Sequence, residues 1–145
     1  MTTKSNDTPR NPNPRRKPMQ AFFFLRSLAR MSRRTAAAPL RRRFRAIRSA
    51  AYASMARAAS PRCSWRRAVL ARLLRQSRPL RAPLALPPRA VKPDGADELR
   101  RVVPGGEGMG FGRLLKETVD YVEALKLQVQ LMQTMVAHHM EDDER

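Results

Sequence analysis

The sequence predicts an all-α protein built around a hairpin of two helices near the carboxy terminus. Residues 99–136 consist of a short apolar-patterned stretch, a glycine-rich segment and a long amphipathic stretch. Upstream, apolar residues recur every three or four positions between residues 40 and 74, which predicts further short helices. The first 18 residues are polar and rich in proline, which is typical of a disordered segment.

The long helix of the hairpin carries a wide apolar stripe. With Leu115 as position a of a heptad, the a and d positions are Leu115, Thr118, Val122, Leu125, Val129, Met132 and Val136. Leu114, Val119 and Tyr121 widen this stripe, and a more polar outer face carries Lys116, Glu117, Asp120, Glu123, Lys126 and Gln130. A two-helix hairpin does not cover a stripe of this width alone. The sequence therefore predicts a dimerisation element whose contact residues are Leu99, Val102, Val103, Leu114, Leu115, Val119, Val122, Leu125, Val129 and Met132.

The short helix should end before Pro104, because a proline disfavours helical geometry at the residue before it. Gly105 and Gly106 follow and give the chain freedom to turn into the second helix.

Charge is distributed very unevenly. Residues 1–93 hold 24 Lys and Arg but one acid, Asp7, whereas residues 94–145 hold 6 basic and 11 acidic residues. These sums, +23 and −5, give the net charge of +18. So basic a segment attracts nucleic acid, anionic membranes or acidic proteins without choosing among them. The single cysteine, Cys63, excludes an internal disulfide, and no apolar run approaches the roughly 18 residues that span a bilayer.

Composition predicts five consecutive regions. They are a disordered basic tail with a short helix at about Gln20–Met31 (1–39), an arginine-rich pair of helices (40–76), a proline-rich linker (77–96), the two-helix hairpin (97–138) and an acidic tail (139–145). We expect Ser64 to cap the second helix of the arginine-rich pair, and fraying of the last helix beyond about His138.

Two alternatives remain open for the basic region. Its helix pair either serves mainly to bury Trp65 against the alanine-rich helix or presents arginines to acidic partners or phosphates. The clusters Arg15, Arg16, Lys17 and Arg41, Arg42, Arg43 are candidate nuclear import signals, while an arginine-rich, acid-poor start is also typical of organelle transit peptides.

Two blocks of sequence resemble a known family. Leu-Arg-Arg-Val-Val-Pro-Gly-Gly-Glu at 99–107, Met109, and the Leu-Leu-x-Glu-Thr-x-Asp-Tyr-Val-x-x-Leu pattern at 114–125 resemble plant atypical basic helix-loop-helix (bHLH) proteins. Within these, the chain is most similar to the group that binds leaf-inclination (ILI-type) HLH proteins and inhibits cell elongation. Residues 47–74 also resemble that group. The resemblance implies HLH and bHLH partners, a nuclear location, and repression downstream of brassinosteroid or gibberellin.

Sequence-specific DNA binding is not expected. The family's base-reading glutamate lies about 19 residues before the proline that closes the first HLH helix, a spacing taken from the resemblance, and that position here is Ala85. Five prolines interrupt the same segment, and each costs roughly 3 kcal/mol inside a helix. They are Pro79, Pro83, Pro87, Pro88 and Pro93.

No catalytic constellation, cofactor motif or metal-ligand spacing is present in the sequence, and we expect no enzyme activity, no small-molecule ligand and no membrane partner. The predicted function is that of an HLH transcriptional regulator that forms heterodimers with other HLH or bHLH factors and sequesters them. A basic protein that binds nucleic acid without sequence preference is the alternative. We expect residues 94–145 alone to keep partner binding in the first case, and residues 1–93 to hold the activity in the second.

Overall fold

A computed structural model describes residues 15–77 and 95–143 of the chain. Over these residues the chain forms five α-helices and no strand: α1 (Arg16–Thr35), α2 (Leu40–Ala58), α3 (Ser64–Gln76), α4 (Gly95–Val102) and α5 (Phe111–Asp143). The all-α prediction is confirmed. The helices α4 and α5 are the predicted hairpin, and α1, α2 and α3 pack against one side of α5.

The first helix is longer than the sequence suggested. The predicted short helix covered Gln20–Met31, but α1 runs from Arg16 to Thr35. Its additional first turn is held by tertiary contacts, since Arg16 and Gln20 are both buried and both bond to α5. Pattern reasoning placed these residues near a solvated tail because their side chains are polar. Phe24, one turn further along, is also buried.

The helices α2 and α3 form the predicted hairpin around Trp65. The indole of Trp65 is fully buried and packs on Met55, Ala56 and Ala59, and its ring centroid lies 5.2 Å from that of Tyr121 on α5. The small alanine side chains let α2 approach closely enough to enclose the largest side chain of the protein. The core is therefore shared between the arginine-rich region and the long helix.

The turn between α4 and α5 uses its glycines for two different reasons. Gly105 has φ of +76°, in the left-handed region that glycine adopts without strain. At Gly106 an added Cβ would lie 2.8 Å from the carbonyl oxygen of Arg100, so the close approach of the backbone excludes any side chain. Val103 sits in this turn and is buried in the core.

The last helix continues through the acidic residues that we expected to fray. α5 ends at Asp143, five residues beyond His138. Acidic side chains in a last turn oppose the helix dipole by only about 0.3–1 kcal/mol when exposed, so the hydrogen-bond ladder continues through them. At 33 residues, α5 is roughly 50 Å long.

The proline-rich linker was predicted over residues 77–96, and most of it, residues 78–94, lies outside the described residues. Ala85, which stands where the family has its DNA-reading glutamate, lies in the same range. Residues 1–14 and the end of the acidic tail also lie outside the described residues. No helix among the described residues is long and apolar enough to cross a bilayer.

Candidate partner-binding surface on the long helix

The long helix has two faces in different environments. Side chains spaced by three or four residues along one face are buried against α1, α2 and α3: Leu114, Glu117, Tyr121, Ala124 and Gln128. The apolar residues of the other face are exposed: Leu115, Val119, Val122, Val129, Met132, Val136 and Met140. We call this second set the open stripe.

The open stripe is well exposed along its length. Val119 is 61% exposed, Val129 52% and Val136 61%, and all three lie on one side of a single helix. Val102, at the end of α4, adds a further apolar side chain that is 69% exposed. Contiguous exposed apolar surface of this kind marks protein interaction sites in soluble proteins. Its heptad spacing is that of a helix-pairing seam.

The structure divides the residues predicted for dimerisation into three groups. Leu115, Val119, Val122, Val129 and Met132 are exposed, together with Val102. Leu99 and Leu125 are half-buried against the core, and Leu114 and Val103 lie inside it. Leu114 and Val103 are thus already used within the chain, which leaves the other eight as the candidate seam.

Glu117 lies on the face that the sequence assigned to the outside, and it is buried. Its two carboxylate oxygens accept hydrogen bonds from the backbone N–H of Ser64 at 2.9 and 2.8 Å, and one accepts a third from Trp65 N–H at 3.1 Å. The expected cap at Ser64 is wrong, because Ser64 is already the first residue of α3 and no side-chain cap comes from its own segment. A carboxylate from α5 satisfies two of the free N–H groups of α3 instead, and it complements the helix dipole.

Asp120 is the second acidic anchor, one turn further along. Arg16 donates two hydrogen bonds to its carboxylate, at 2.8 and 3.1 Å, and the indole N–H of Trp65 donates a third at 2.7 Å. The thiol of Cys63 donates to the same carboxylate at 3.2 Å. The guanidinium of Arg16 also lies 5.7 Å from the centroid of the Trp65 ring. One carboxylate therefore joins α1, α3 and α5.

Titration behaviour follows from this geometry. Burial opposes ionisation of Asp120, but the hydrogen bonds from Arg16, Trp65 and Cys63 outweigh it and hold the pKa of this carboxyl below its ordinary value. Burial and the Asp120 carboxylate raise the pKa of Cys63 to about 12. Burial raises the pKa of Tyr121 to about 12 as well. Cys63 is thus held as an unreactive thiol that donates to Asp120.

A polar layer completes the buried face two turns beyond Asp120. The side-chain amide of Gln20 donates to the carbonyl oxygen of Ala124 and to Gln128 Oε1, both at 3.0 Å. Ser54 donates to the same oxygen of Gln128 at 3.1 Å. Gln20 Oε1 and Gln128 Nε2 have no hydrogen-bond partner among the described residues. This layer fixes the position of α1 along α5 but leaves two buried polar atoms unsatisfied.

Sequence reasoning missed these anchors because polar residues on an amphipathic helix are usually solvated. A signal for them does exist in the charge pattern. Residues 15–77 hold 17 Arg and one Lys but no Asp or Glu, so any carboxylate that pairs with or caps this region must come from elsewhere in the chain. In the structure that source is α5, through Glu117 and Asp120.

The candidate import residues also fall into two groups. Arg16 is only 2% exposed and is engaged by Asp120, while Arg15 and Lys17 beside it are exposed. Arg41, Arg42 and Arg43 are all exposed in the first turn of α2. The second cluster is therefore the one whose side chains are all accessible in this fold. No group of three or more potential metal ligands occurs among the described residues.

A short helix, a glycine turn and a long helix with an open apolar seam define a helix-loop-helix protein, here with three upstream helices fastened to the side opposite the seam. The chain is 42% identical to transcription factor IBH1 from Oryza sativa subsp. indica, in an alignment of 159 positions that covers 83% of this chain and 77% of the rice protein. The IBH1 protein of subsp. japonica matches with the same identity and coverage. No family model matches the chain, and no solved structure does.

The chain belongs to the family of transcription factor IBH1. This confirms the resemblance to atypical HLH proteins of the ILI-binding group, and it makes the chain a transcriptional regulator.

Proposed function

We propose that this transcriptional regulator acts by forming heterodimers, through the open stripe of α5, with other HLH or bHLH proteins. The observation that carries the proposal is the exposure of Val119, Val122 and Val129 on a helix whose opposite face is already covered. A second HLH hairpin laid on this stripe would bury these valines in a helical bundle. Each valine or leucine contributes up to roughly 1.5–3 kcal/mol when it becomes fully buried, and the sum over the whole stripe opposes the cost of association.

Heterodimer formation would sequester the partner. A bHLH activator reads its palindromic site with two basic helices, one from each chain. A mixed dimer with this chain would have one such helix, because the prolines at 79–93 interrupt the corresponding segment here. The regulator would then lower the concentration of DNA-competent dimers without itself reading a sequence. Family membership supports a negative role in cell elongation, within the response to brassinosteroid or gibberellin.

The proposal is tested by a mobility-shift titration with a bHLH partner on its E-box-type site. Full-length protein should reduce the shifted complex in proportion to its concentration. Val122→Asp should abolish this effect, because it would bury an unpaired charge in the dimer. Lys116→Ala, at an exposed position outside the open stripe, serves as the matched control and should leave it unchanged. Equal inhibition by wild type and Val122→Asp would contradict the proposal.

A specific observation favours a second candidate function, binding of nucleic acid without sequence preference. Most of the 17 arginines in residues 15–77 are exposed on α1, α2 and α3. Such binding should weaken by about 10³ or more between roughly 50 and 200 mM salt and should be insensitive to Val122→Asp. A division of the chain into 1–93 and 94–145 does not separate the two functions cleanly, since α3 loses the cap from Glu117 when the halves are parted. Point variants of the full chain are required.

We also propose nuclear location, with Arg41, Arg42 and Arg43 as the accessible import cluster. A fluorescent fusion of the full chain should be nuclear, and conversion of these three arginines to alanine should shift it towards the cytoplasm. The matched control is the triple alanine variant of Arg30, Arg33 and Arg34, which are exposed on α1. Organellar fluorescence with loss of the amino-terminal segment would support the transit-peptide alternative instead.

A further inference from the structure

A groove lies outside the open stripe, between α2, α3 and the end of α4. Its volume is about 750 Å³, within the range of sites that accept several side chains of a ligand. Guanidinium groups stand along its walls, from Arg42, Arg45 and Arg48 on α2 and from Arg72 on α3. No carboxylate lines the groove, and none of these four arginines forms an ion pair with another described residue.

The floor of the groove is apolar. Val69 and Leu73 of α3 contribute to it, together with the ring of Tyr121 from α5. Val102 of α4 also lines the groove, and its side chain is largely exposed. The groove is thus apolar at its floor and positively charged at its rim, and four helices contribute residues to it.

We propose that this groove binds a short acidic amphipathic segment of a partner protein. Leucine or phenylalanine side chains of the segment would occupy the floor, and its Asp and Glu side chains would pair with the guanidinium groups on the walls. Arginine suits this role because its planar group meets a carboxylate with two parallel hydrogen bonds. Segments with this alternation of acidic and apolar residues form amphipathic helices on binding.

The floor favours a protein segment over nucleic acid. A phosphate backbone is satisfied by flat basic surface and gains nothing from buried contact with Val69 and Leu73. The exposed arginines of α1 offer such flat surface, whereas the arginines of the groove stand around an apolar depression. Val102, which lines the groove, is 69% exposed, so the apolar part of the groove remains accessible to a partner segment.

The probe is a fluorescein-labelled peptide of about 15 residues, with Leu or Phe at helical spacing and Glu or Asp between them. Fluorescence anisotropy with the full chain at about 150 mM salt, where surface charges are screened beyond about 8 Å, reports binding. The double variant Arg45→Glu with Arg72→Glu should weaken binding by at least about tenfold, the loss expected for two charge-assisted pairs. The matched control is Arg30→Glu with Arg34→Glu, which changes the net charge equally at exposed positions on α1 and should change affinity less than about twofold.

Further variants and a control peptide test whether the apolar floor of the groove contributes to binding. They also distinguish peptide binding in the groove from dimerisation through the open stripe. Leu73→Asn, at a half-exposed floor position, should also weaken peptide binding, and a peptide of the same composition with its apolar residues scattered should bind poorly. Val122→Asp should bind the peptide as wild type does, so the proposal can fail or succeed independently of the seam. Equal losses in the two double variants, or equal binding of the scattered peptide, would overturn it. Binding of a random DNA duplex that depends on Arg45 and Arg72 in the absence of peptide binding would overturn it too.

Discussion

The two faces of α5 differ in the kind of side chain that they present. The face towards α1, α2 and α3 buries apolar side chains and adds the directional polar groups of Glu117, Asp120 and Gln128. The open stripe offers valine, leucine and methionine side chains with no directional group among them. Polar anchors fix one arrangement, because a misplaced carboxylate remains unsatisfied, whereas an apolar seam tolerates many complementary surfaces.

This difference suggests separate roles for the two faces. The contact between α5 and the upstream helices lies within one chain, so its two sides are always the same, and a single fixed geometry stabilises it. A regulator that sequesters several related factors gains from a seam that accepts each of them. If the two faces have these separate roles, substitutions on the buried face should lower the stability of the fold. Substitutions on the open stripe should weaken partner binding alone.

The largest effect on stability is expected at Trp65. Trp65→Ala removes the fully buried indole and its hydrogen bond to Asp120, and we expect the free energy of unfolding to fall by about 3–5 kcal/mol. Thermal or urea denaturation followed by circular dichroism measures this loss. Arg67→Ala, at an exposed position on the same helix, should change it by less than about 0.5 kcal/mol. A wild-type transition in Trp65→Ala would show that the core does not hold the upstream helices to α5.

Asp120→Asn should have the next largest effect, about 2–3 kcal/mol, because the neutral amide loses the charge-assisted bonds from Arg16. Asp120→Glu keeps the charge but displaces it by one methylene, so it should recover part of the stability. Urea denaturation at neutral pH is the measurement. An unchanged midpoint in Asp120→Asn would mean that the contact to Arg16 is incidental.

Acid should weaken the same anchor. The pKa of Asp120 is lowered in the folded chain, so the unfolded chain binds this proton at a higher pH than the folded chain does. The stability from this group is fully present above the ordinary aspartate pKa of about 4 and is lost as the pH falls below that value towards the lowered pKa. Denaturation midpoints between about pH 2 and 6 should fall less steeply in Asp120→Asn than in wild type. Parallel curves for the two proteins would contradict the assignment.

A smaller effect, of opposite sign, is expected in the glutamine layer. Replacement of both Gln20 and Gln128 by Met removes the two unsatisfied buried polar atoms and keeps a similar volume, so stability should be unchanged or higher by about 1 kcal/mol. Replacement of Gln20 alone removes one of the two donors to Gln128 Oε1 and leaves the unsatisfied Gln128 Nε2 buried, so it should be destabilising. A double-mutant cycle in urea isolates the coupling between the two side chains.

The smallest effect on monomer stability belongs to the open stripe. Val136→Ser, at a site that is 61% exposed, should shift the free energy of unfolding by less than about 0.5 kcal/mol. The same change should weaken binding to an HLH partner, because it removes apolar surface from the seam. A large loss of monomer stability would indicate that Val136 is covered within the chain.

Much of this architecture follows from sequence pattern. The apolar periodicity located α2, α3 and α5, and the pair Pro104 and Gly105 located the turn. The same periodicity did not predict how α1, α2 and α3 pack against α5. Arg16 and Asp120 are 104 residues apart, and a short-range pattern carries no information on such a contact. Glu117 was placed outside because a lone glutamate on a helix is usually solvated, and its burial depends on the N-terminus of α3 being brought to it.

The candidate seam was predictable to a similar extent. Heptad spacing selected most residues of the open stripe, but the wider apolar stripe predicted from the sequence also included Leu114, which the core uses. The apolar stripe predicted on the long helix is wider than one contact surface, and the docking of the upstream helices determines which edge of it is covered. That docking combines the apolar core with polar contacts between residues far apart in sequence, so hydrophobic spacing did not predict it.

We claim that the two faces of α5 work independently, and hydrogen–deuterium exchange of the full chain measures whether they do. Exchange is measured with and without an ILI-type HLH protein at saturating concentration. We predict that amides of residues 129–140 gain protection on partner binding, while amides of α1 and α3 keep theirs. Loss of protection in α1 and α3 on partner binding would contradict the claim, since it would mean that the partner displaces the upstream helices from α5.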